Sequence, residues 1–205
     1  MTAAIPKPIV WILAGPNGSG KTTFYEKFLR DRLPEFVNPD RIALELSPGN
    51  PDAANWEQVR EEVANRQERL FHSRTEFVTE TVFSHESKLD LIDHAKAAGF
   101  HTRVVFLCTE DPALNAARVS IRVGEGGHGV PFEKIEARYV RSVSNMLKAR
   151  LSSDELWLYD NSTERSKPKL VARYSLGLLS MVCEDPPAWA VRVLGPEFET
   201  WRHGG

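Results

Sequence analysis

Apolar residues along this chain fall into short runs separated by longer stretches in which they recur every three or four positions. Five of the short runs, Ile9–Ala14, Glu35–Asn38, Glu76–Glu80, Thr102–Cys108 and Leu156–Asp160, are rich in Val, Ile, Leu or Phe and end in polar loops, which predicts strands. The stretches between them predict helices over Lys21–Arg30, Trp56–His72, Glu86–Ala98 and Pro112–Val123, with a fifth over Phe132–Arg150. Gly99 stands where a helix stop belongs and Pro131 where a first turn begins. In the second helix Trp56, Val59, Val63, Leu70 and Phe71 share one stripe, which marks a core face. Strands alternating with helices build a mostly parallel sheet covered on both faces, a three-layer α/β/α arrangement. Leu170–Val182 reads as a hairpin around Ser175–Gly177, and Pro187–Leu194 as a short closing helix.

Composition narrows the partners. The 205 residues are 41% hydrophobic and 26% charged, the balance of an ordinary globular protein, and no linker marks a second domain. Residues 1–205 are therefore read as one domain. The 26 Lys and Arg nearly cancel 28 Asp and Glu, so there is no broad positive field and no nucleic-acid partner is expected. No run approaches the roughly 18 apolar residues of a membrane span, so no membrane partner is expected. Cys108 and Cys183 form neither a disulfide framework nor a zinc spacing, which fits a reducing cytoplasm.

The chemistry begins directly after the first strand. Gly15-Pro16-Asn17-Gly18-Ser19-Gly20-Lys21-Thr22 matches G-x-x-x-x-G-K-[ST], with Thr23 next, between a strand and a helix. Glycines let backbone N–H groups turn inward around a polyphosphate, and the following helix points its positive end at the same anion. Lys21 would reach the β- and γ-phosphates of ATP, and the Thr22 hydroxyl would ligate Mg²⁺. The fold class is thus a P-loop NTPase, five-stranded and kinase-like. An N-K-x-D base-reading motif and an ABC signature are both missing.

Acidic groups follow two later strands. Asp40, in Asn38-Pro39-Asp40-Arg41, emerges at the same sheet edge as the phosphate loop, where a carboxylate can accept the proton of an attacking hydroxyl. Its other reading is a cap for a helix over Arg41–Leu46. Glu80 and Thr81 end the third strand as candidate ligands of a substrate hydroxyl or a Mg²⁺-bound water, or as a solvated strand end before a helix capped by Ser84. Arg118 and Arg122 share a helical face that runs into the glycine-rich segment 124–129, which reads as a lid, and the region 111–150 reads as the lid and acceptor-binding part. Lys134, Arg138, Arg141 and Lys148 form a basic stripe on the next helix, off its apolar face. Two convergent arginine pairs would clamp the transferring phosphoryl group, although a charged helix face is more often only solvated. His128 is a contact for sugar or phosphate, or else part of a hinge. Tyr159–Ser162 reads as a turn or as the surroundings of the adenine.

Taken in order, GPNGSGKTT, NPDRIA, ETVFS, RVGEGGHGVP followed by RYVRS, and LYDNS resemble the zeta-toxin family of P-loop kinases over about Ile9 to Ser162. The resemblance implies a toxin of a toxin–antitoxin pair that uses ATP and Mg²⁺ to phosphorylate a sugar hydroxyl of UDP-N-acetylglucosamine, with an antitoxin protein as partner. It implies Lys21 as the phosphate-loop lysine, Asp40 as base and Glu80 as a sugar-binding acid. Arginines near Arg122 and Arg138 or Arg141 would be the charge stabilisers. Two other readings stay open: a kinase for another hydroxyl acceptor such as a nucleoside or antibiotic, and a nucleotide-dependent binding module with slow ATP hydrolysis. A hydroxyl acceptor needs a base near the γ-phosphate and a binding module does not, so Asp40 discriminates between them.

Overall fold

The computed structural model describes residues 6–50, 53–124, 131–163 and 166–204. Seven strands form one sheet: β1 (Ile9–Ala14), β2 (Phe36–Val37), β3 (Phe77–Thr81), β4 (His101–Cys108), β5 (Glu155–Asp160), β6 (Lys169–Ser175) and β7 (Leu178–Val182). Their order is β2-β3-β1-β4-β5-β6-β7. The first five in this order run parallel, and they are the five strands the apolar runs predict. The expected hairpin adds β6 and β7 antiparallel at the β5 side. Its place in the sheet has no local signature. It is set by Val171, Ala172 and Tyr174, which bury against the core.

The helices are α1 (Lys21–Phe24), α2 (Pro39–Leu46), α3 (Trp56–His72), α4 (Asp90–Ala97), α5 (Pro112–Gly124), α6 (Phe132–Ser152), α7 (Ala188–Leu194) and α8 (Pro196–Gly204). The last was not foreseen. The expected helix Lys21–Arg30 widens after α1 into a π-type segment, Tyr25–Leu29. There the Tyr25 ring stacks on Phe36 with centroids 3.7 Å apart, and its hydroxyl donates to the carbonyls of Leu33 and Pro34. The expected helix Glu86–Ala98 is a 3₁₀ turn, Glu86–Lys88, followed by α4, and its first cap is His85 rather than Ser84. Among the described residues no helix is long and apolar enough to cross a membrane.

The two sheet faces are covered unequally. Val10, Ile12, Phe77, Val104, Phe106 and Leu158 pack under α2, α3, α4, α6 and α7. Leu13, Val78, Val105 and Leu107 pack under Phe24, Tyr25, Leu29 and Leu33. Beyond that cover Trp11 and Trp157 meet edge to face, with the Arg103 guanidinium 4.5 Å from each ring.

Candidate active site

The carboxyl ends of β1 and β3 and the start of β2's following helix converge on the loop 15–20. Its path is fixed by three asparagine-type contacts rather than by the loop alone. Asn115 of α5, fully buried, donates to the Asn17 carbonyl at 2.8 Å, and Asn161 after β5 donates to the Ser19 carbonyl at 2.9 Å. A Cβ on Gly18 would lie 2.3 Å from the Asn115 carbonyl oxygen, and one on Gly20 would lie 2.3 Å from Asn161 Nδ2, with both glycines at positive φ. Only glycine admits these approaches. The third contact is Arg138 of α6, whose Nη1 donates to Asn17 Oδ1 at 3.2 Å. Lys21, buried beneath the loop, donates from Nζ to the carbonyls of Gly15 and Pro16 at 2.9 and 3.0 Å. Ser19 is fully buried, and its hydroxyl has no hydrogen-bond partner among the described residues. A cation and an unsatisfied donor beside inward-turned backbone are what a phosphate group requires.

Glu80 joins this loop to the next strands. Its Oε2 accepts from Thr22 Oγ1 at 2.9 Å and from Asn38 Nδ2 at 2.7 Å, and its Oε1 lies 3.8 Å from Lys21 Nζ. Asn38 in turn caps α2, its Oδ1 accepting from the Arg41 N–H. Asp40 is therefore not the cap. It stands exposed in the first turn of α2 on the wall of a cleft of about 420 Å³, which Lys21, Trp56, Glu80, Thr81, Lys134 and Arg138 also line. Among the described residues no three His, Cys, Asp or Glu side chains gather as a metal cluster. The Thr22 hydroxyl and Glu80 carboxylate are the hard oxygen donors that Mg²⁺ takes a few at a time while it keeps water and phosphate oxygens, so the residues fit that ion.

The arginines separate. Arg138 lies in the cleft. Arg141, three residues on, turns instead to the Ser84 carbonyl at 3.2 Å and lines a neighbouring hollow with His85, Glu86 and Ser144. Arg118 donates to the carbonyls of Asn161 and Ser162 at 2.8 and 3.4 Å. A clamp of two convergent arginine pairs is thus not what the described residues form: α6 has turned from the phosphate loop to the loop after β3 by the time it reaches Arg141. His128 and the side chain of Arg122 lie outside the described residues. Thr23 is exposed in the first turn of α1. Asp160 accepts from Trp189 Nε1 at 2.7 Å and from the Ser162 hydroxyl at 2.6 Å, so the turn after β5 ties α7 to the loop.

Cys108 is no candidate nucleophile. Burial pushes its thiol up to about 12 despite hydrogen bonds to Tyr139 and the Thr109 carbonyl. Burial likewise holds the Tyr139 phenol well above its ordinary range. Asn38 and Asn161 fall inside segments that the sequence marks, NPDRIA and LYDNS, without a role of their own, and Asn115 falls in none. The signal available was a polar residue at a helix cap, within a helix that begins after a strand, or just beyond a strand end, and none of these is specific by itself.

The fold and this site define a P-loop domain of the kinase-like α/β type. A family model described as AAA domain (AAA_33) matches residues 10–143, and the chain belongs to that family. It is 30% identical over 129 residues to an uncharacterized protein of Haemophilus influenzae, covering 61% of this chain and 88% of that one. Among solved structures it resembles the AvrRxo1-ORF1:AvrRxo1-ORF2 complex with sulphate ions at a TM-score of 0.66 and 18% identity, over 93% of this chain and 65% of that one. The AvrRxo1 complex with ATP gives 0.64 and 19%, over 86% and 61%. The PezAT chromosomal toxin–antitoxin system of Streptococcus pneumoniae gives 0.62 and 17%, over 82% and 72%. The chain spans less than two thirds of the AvrRxo1 chains, and at these identities the likeness is one of fold.

Proposed function

We propose that this protein is an ATP-dependent phosphotransferase that moves a phosphoryl group to a hydroxyl of a nucleotide-sugar such as UDP-N-acetylglucosamine, as the toxin of a toxin–antitoxin pair. The observation that carries the reading is Asp40. Its carboxylate is spared from capping by Asn38 and faces the cleft that Lys21 of the phosphate loop also lines. The likeness to PezAT, a toxin–antitoxin system, and to an AvrRxo1 complex that contains ATP supports an ATP-using toxin with an antitoxin protein as partner.

In this reading Lys21 leaves the Gly15 and Pro16 carbonyls for the β- and γ-phosphates, a short swing for a flexible ammonium. Asp40 accepts the proton of the acceptor hydroxyl as its oxygen bonds to phosphorus and the bond from phosphorus to the ADP oxygen breaks. Arg138 stabilises charge on the transferring group, and Lys134, one turn away, meets the acceptor's own phosphates. Trp56 offers a flat apolar face to a ring. Thr22 and Glu80 would hold Mg²⁺, which when bound neutralises charge on the triphosphate. Glu80 and Thr81 remain beside the acceptor, and residues 111–150 supply its closing side.

The test is ATP turnover with and without a panel of nucleotide-sugars, in the wild type and in Asp40→Asn. Because Asn38 holds the cap, this variant should keep fold and ATP affinity yet lose about 10²- to 10⁴-fold in acceptor phosphorylation, the usual contribution of a general base. An unchanged rate removes Asp40 from the chemistry. No acceptor-stimulated turnover in the wild type would favour a nucleotide-dependent binding module.

A further inference from the structure

Three consecutive carbonyls after β3 each accept a hydrogen bond from a side chain of α6. Val82 accepts from the Ser142 hydroxyl, Phe83 from Asn145 Nδ2 at 3.0 Å, and Ser84 from Arg141 Nε at 3.2 Å. Ser142 is fully buried and Asn145 is 4% exposed, among the Tyr139, Val143 and Met146 positions by which α6 packs on the core. Polar side chains on such a face cost stability unless they are hydrogen-bonded, and here their partners are the loop carbonyls.

The segment they hold is strained. Phe83 has φ 60°, a left-handed conformation that is strained for a bulky residue and persists only where the surroundings over-determine it. Its ring is buried at 1% exposure, so the backbone cannot relax without pulling the ring from the core. Thr81 Oγ1 accepts from the Phe83 N–H at 3.1 Å and fixes the turn from the other side. The strained stretch is also a wall. Thr81, Val82 and Ser84 line the cleft that contains Asp40, and they also line a second hollow of about 490 Å³ that reaches Val63, Gln67 and Leu91. The same helix carries Arg138 to Asn17. One rigid element thus sets the wall and touches the phosphate loop.

We infer that Ser142 and Asn145 are positioning residues for phosphoryl transfer: they hold Thr81–Ser84 where an acceptor hydroxyl is placed between Asp40 and the phosphate loop. This rests on the phosphotransferase reading. A shift of about 1 Å in such a wall can cost about 100-fold in rate. A pair that served packing alone would change stability and leave acceptor kinetics untouched.

The experiment compares Ser142→Ala, Ser142→Thr, Asn145→Ala and Asn145→Leu with the wild type. The readouts are acceptor kcat and KM, the ATP dissociation constant and hydrogen exchange at the amides of residues 82–84. Ser142→Ala and Asn145→Ala should lose about 100-fold in kcat/KM for the acceptor, with faster exchange at 82–84 and unchanged ATP affinity. Ser142→Thr, which keeps the hydroxyl, should restore most of it. Asn145→Leu, close to Asn in shape and apolar on an apolar face, removes the donor without burying a charge and decides the matter if the alanine variant does not fold. Lowered melting temperature with unchanged acceptor kcat/KM, unchanged exchange, or an equal loss of ATP affinity overturns the inference. A wild type that phosphorylates no acceptor defeats the phosphotransferase reading itself, whereas an active wild type with equally active variants defeats only the positioning role.

Discussion

The phosphate loop has two flanks built from the same residue types, and they differ in what is left over. On the β5 flank Arg118, Asp160 and Thr109 are each held by two partners. Arg118 is spent on the carbonyls of Asn161 and Ser162, Asp160 on Trp189 and Ser162, and Thr109 on Asn115 and the Asp111 carbonyl. On the β3 flank Asp40, Lys134 and Arg138 border open space, and Glu80, held by Thr22 and Asn38, lines the same cleft. A satisfied network makes a scaffold and a cleft bordered by charges makes a site. Arg118 and Arg138 look alike in sequence, and only their surroundings tell them apart.

The sharpest way to break this contrast is Lys21→Ala. It removes the cation beneath the loop and should lower phosphoryl transfer by at least about 10³-fold, the scale of other losses of charge stabilisation at a transferring phosphoryl group. Circular dichroism should stay native. Near wild-type turnover would mean that the loop is not the centre of the chemistry.

Next comes the arginine pair. Arg138→Ala should reduce kcat by about 10²- to 10³-fold with little change in melting temperature. Arg118→Ala should do the reverse: about 1–3 kcal/mol of stability lost through two unpaired carbonyls, and a much smaller effect on kcat. Steady-state kinetics and thermal melts on the same preparations check both halves, and equal kinetic losses would erase the distinction between the flanks.

Trp189→Phe probes the scaffold alone. It removes the indole donor from Asp160 while keeping an aromatic ring, and should cost about 1–3 kcal/mol in denaturant unfolding, with the acceptor KM unchanged.

The smallest effect is expected at the opposite end of the sheet. Burial would raise the Asp154 carboxyl, but the Thr102 N–H and hydroxyl, with Lys96 and His101 nearby, outweigh it and hold it below the ordinary value. Its stabilisation is present above the ordinary carboxylate range, about pH 4, and disappears as pH falls through the lowered value. Asp154→Asn should cost about 1 kcal/mol at neutral pH and flatten the acid limb of the stability profile. A limb as steep as that of the wild type would assign the acid sensitivity to other carboxylates.

Much of this architecture was legible because it is local. The five parallel strands, α3, the hairpin and the phosphate loop follow from run length, periodicity and glycine spacing. Asp40's exposure to the cleft depended on which neighbour took the cap, and Asn38 and Asp40 were equally able by composition. The arginines could not be assigned from spacing because Arg138 and Arg141 lie on the same helix but meet different loops. Nor do Ser142 and Asn145 announce themselves, since a polar residue within an apolar stripe reads as a defect until its acceptor, some 60 residues away in sequence, is in place.

Trp56 gives the cleft an optical gauge of its own. It opens α3 and is half-buried on the wall that Asp40 shares. Trp189 is sealed in the core, Trp11 and Trp157 flank Arg103 on the sheet face beyond the cover of the π-type segment, and Trp201 lies on α8 beside Leu178 and Leu179, none of the four lining the cleft. A shift in indole emission on adding a nucleotide-sugar without ATP would therefore be dominated by Trp56, and Trp56→Phe would silence it. Occupancy can in this way be followed by light before any bond is made or broken.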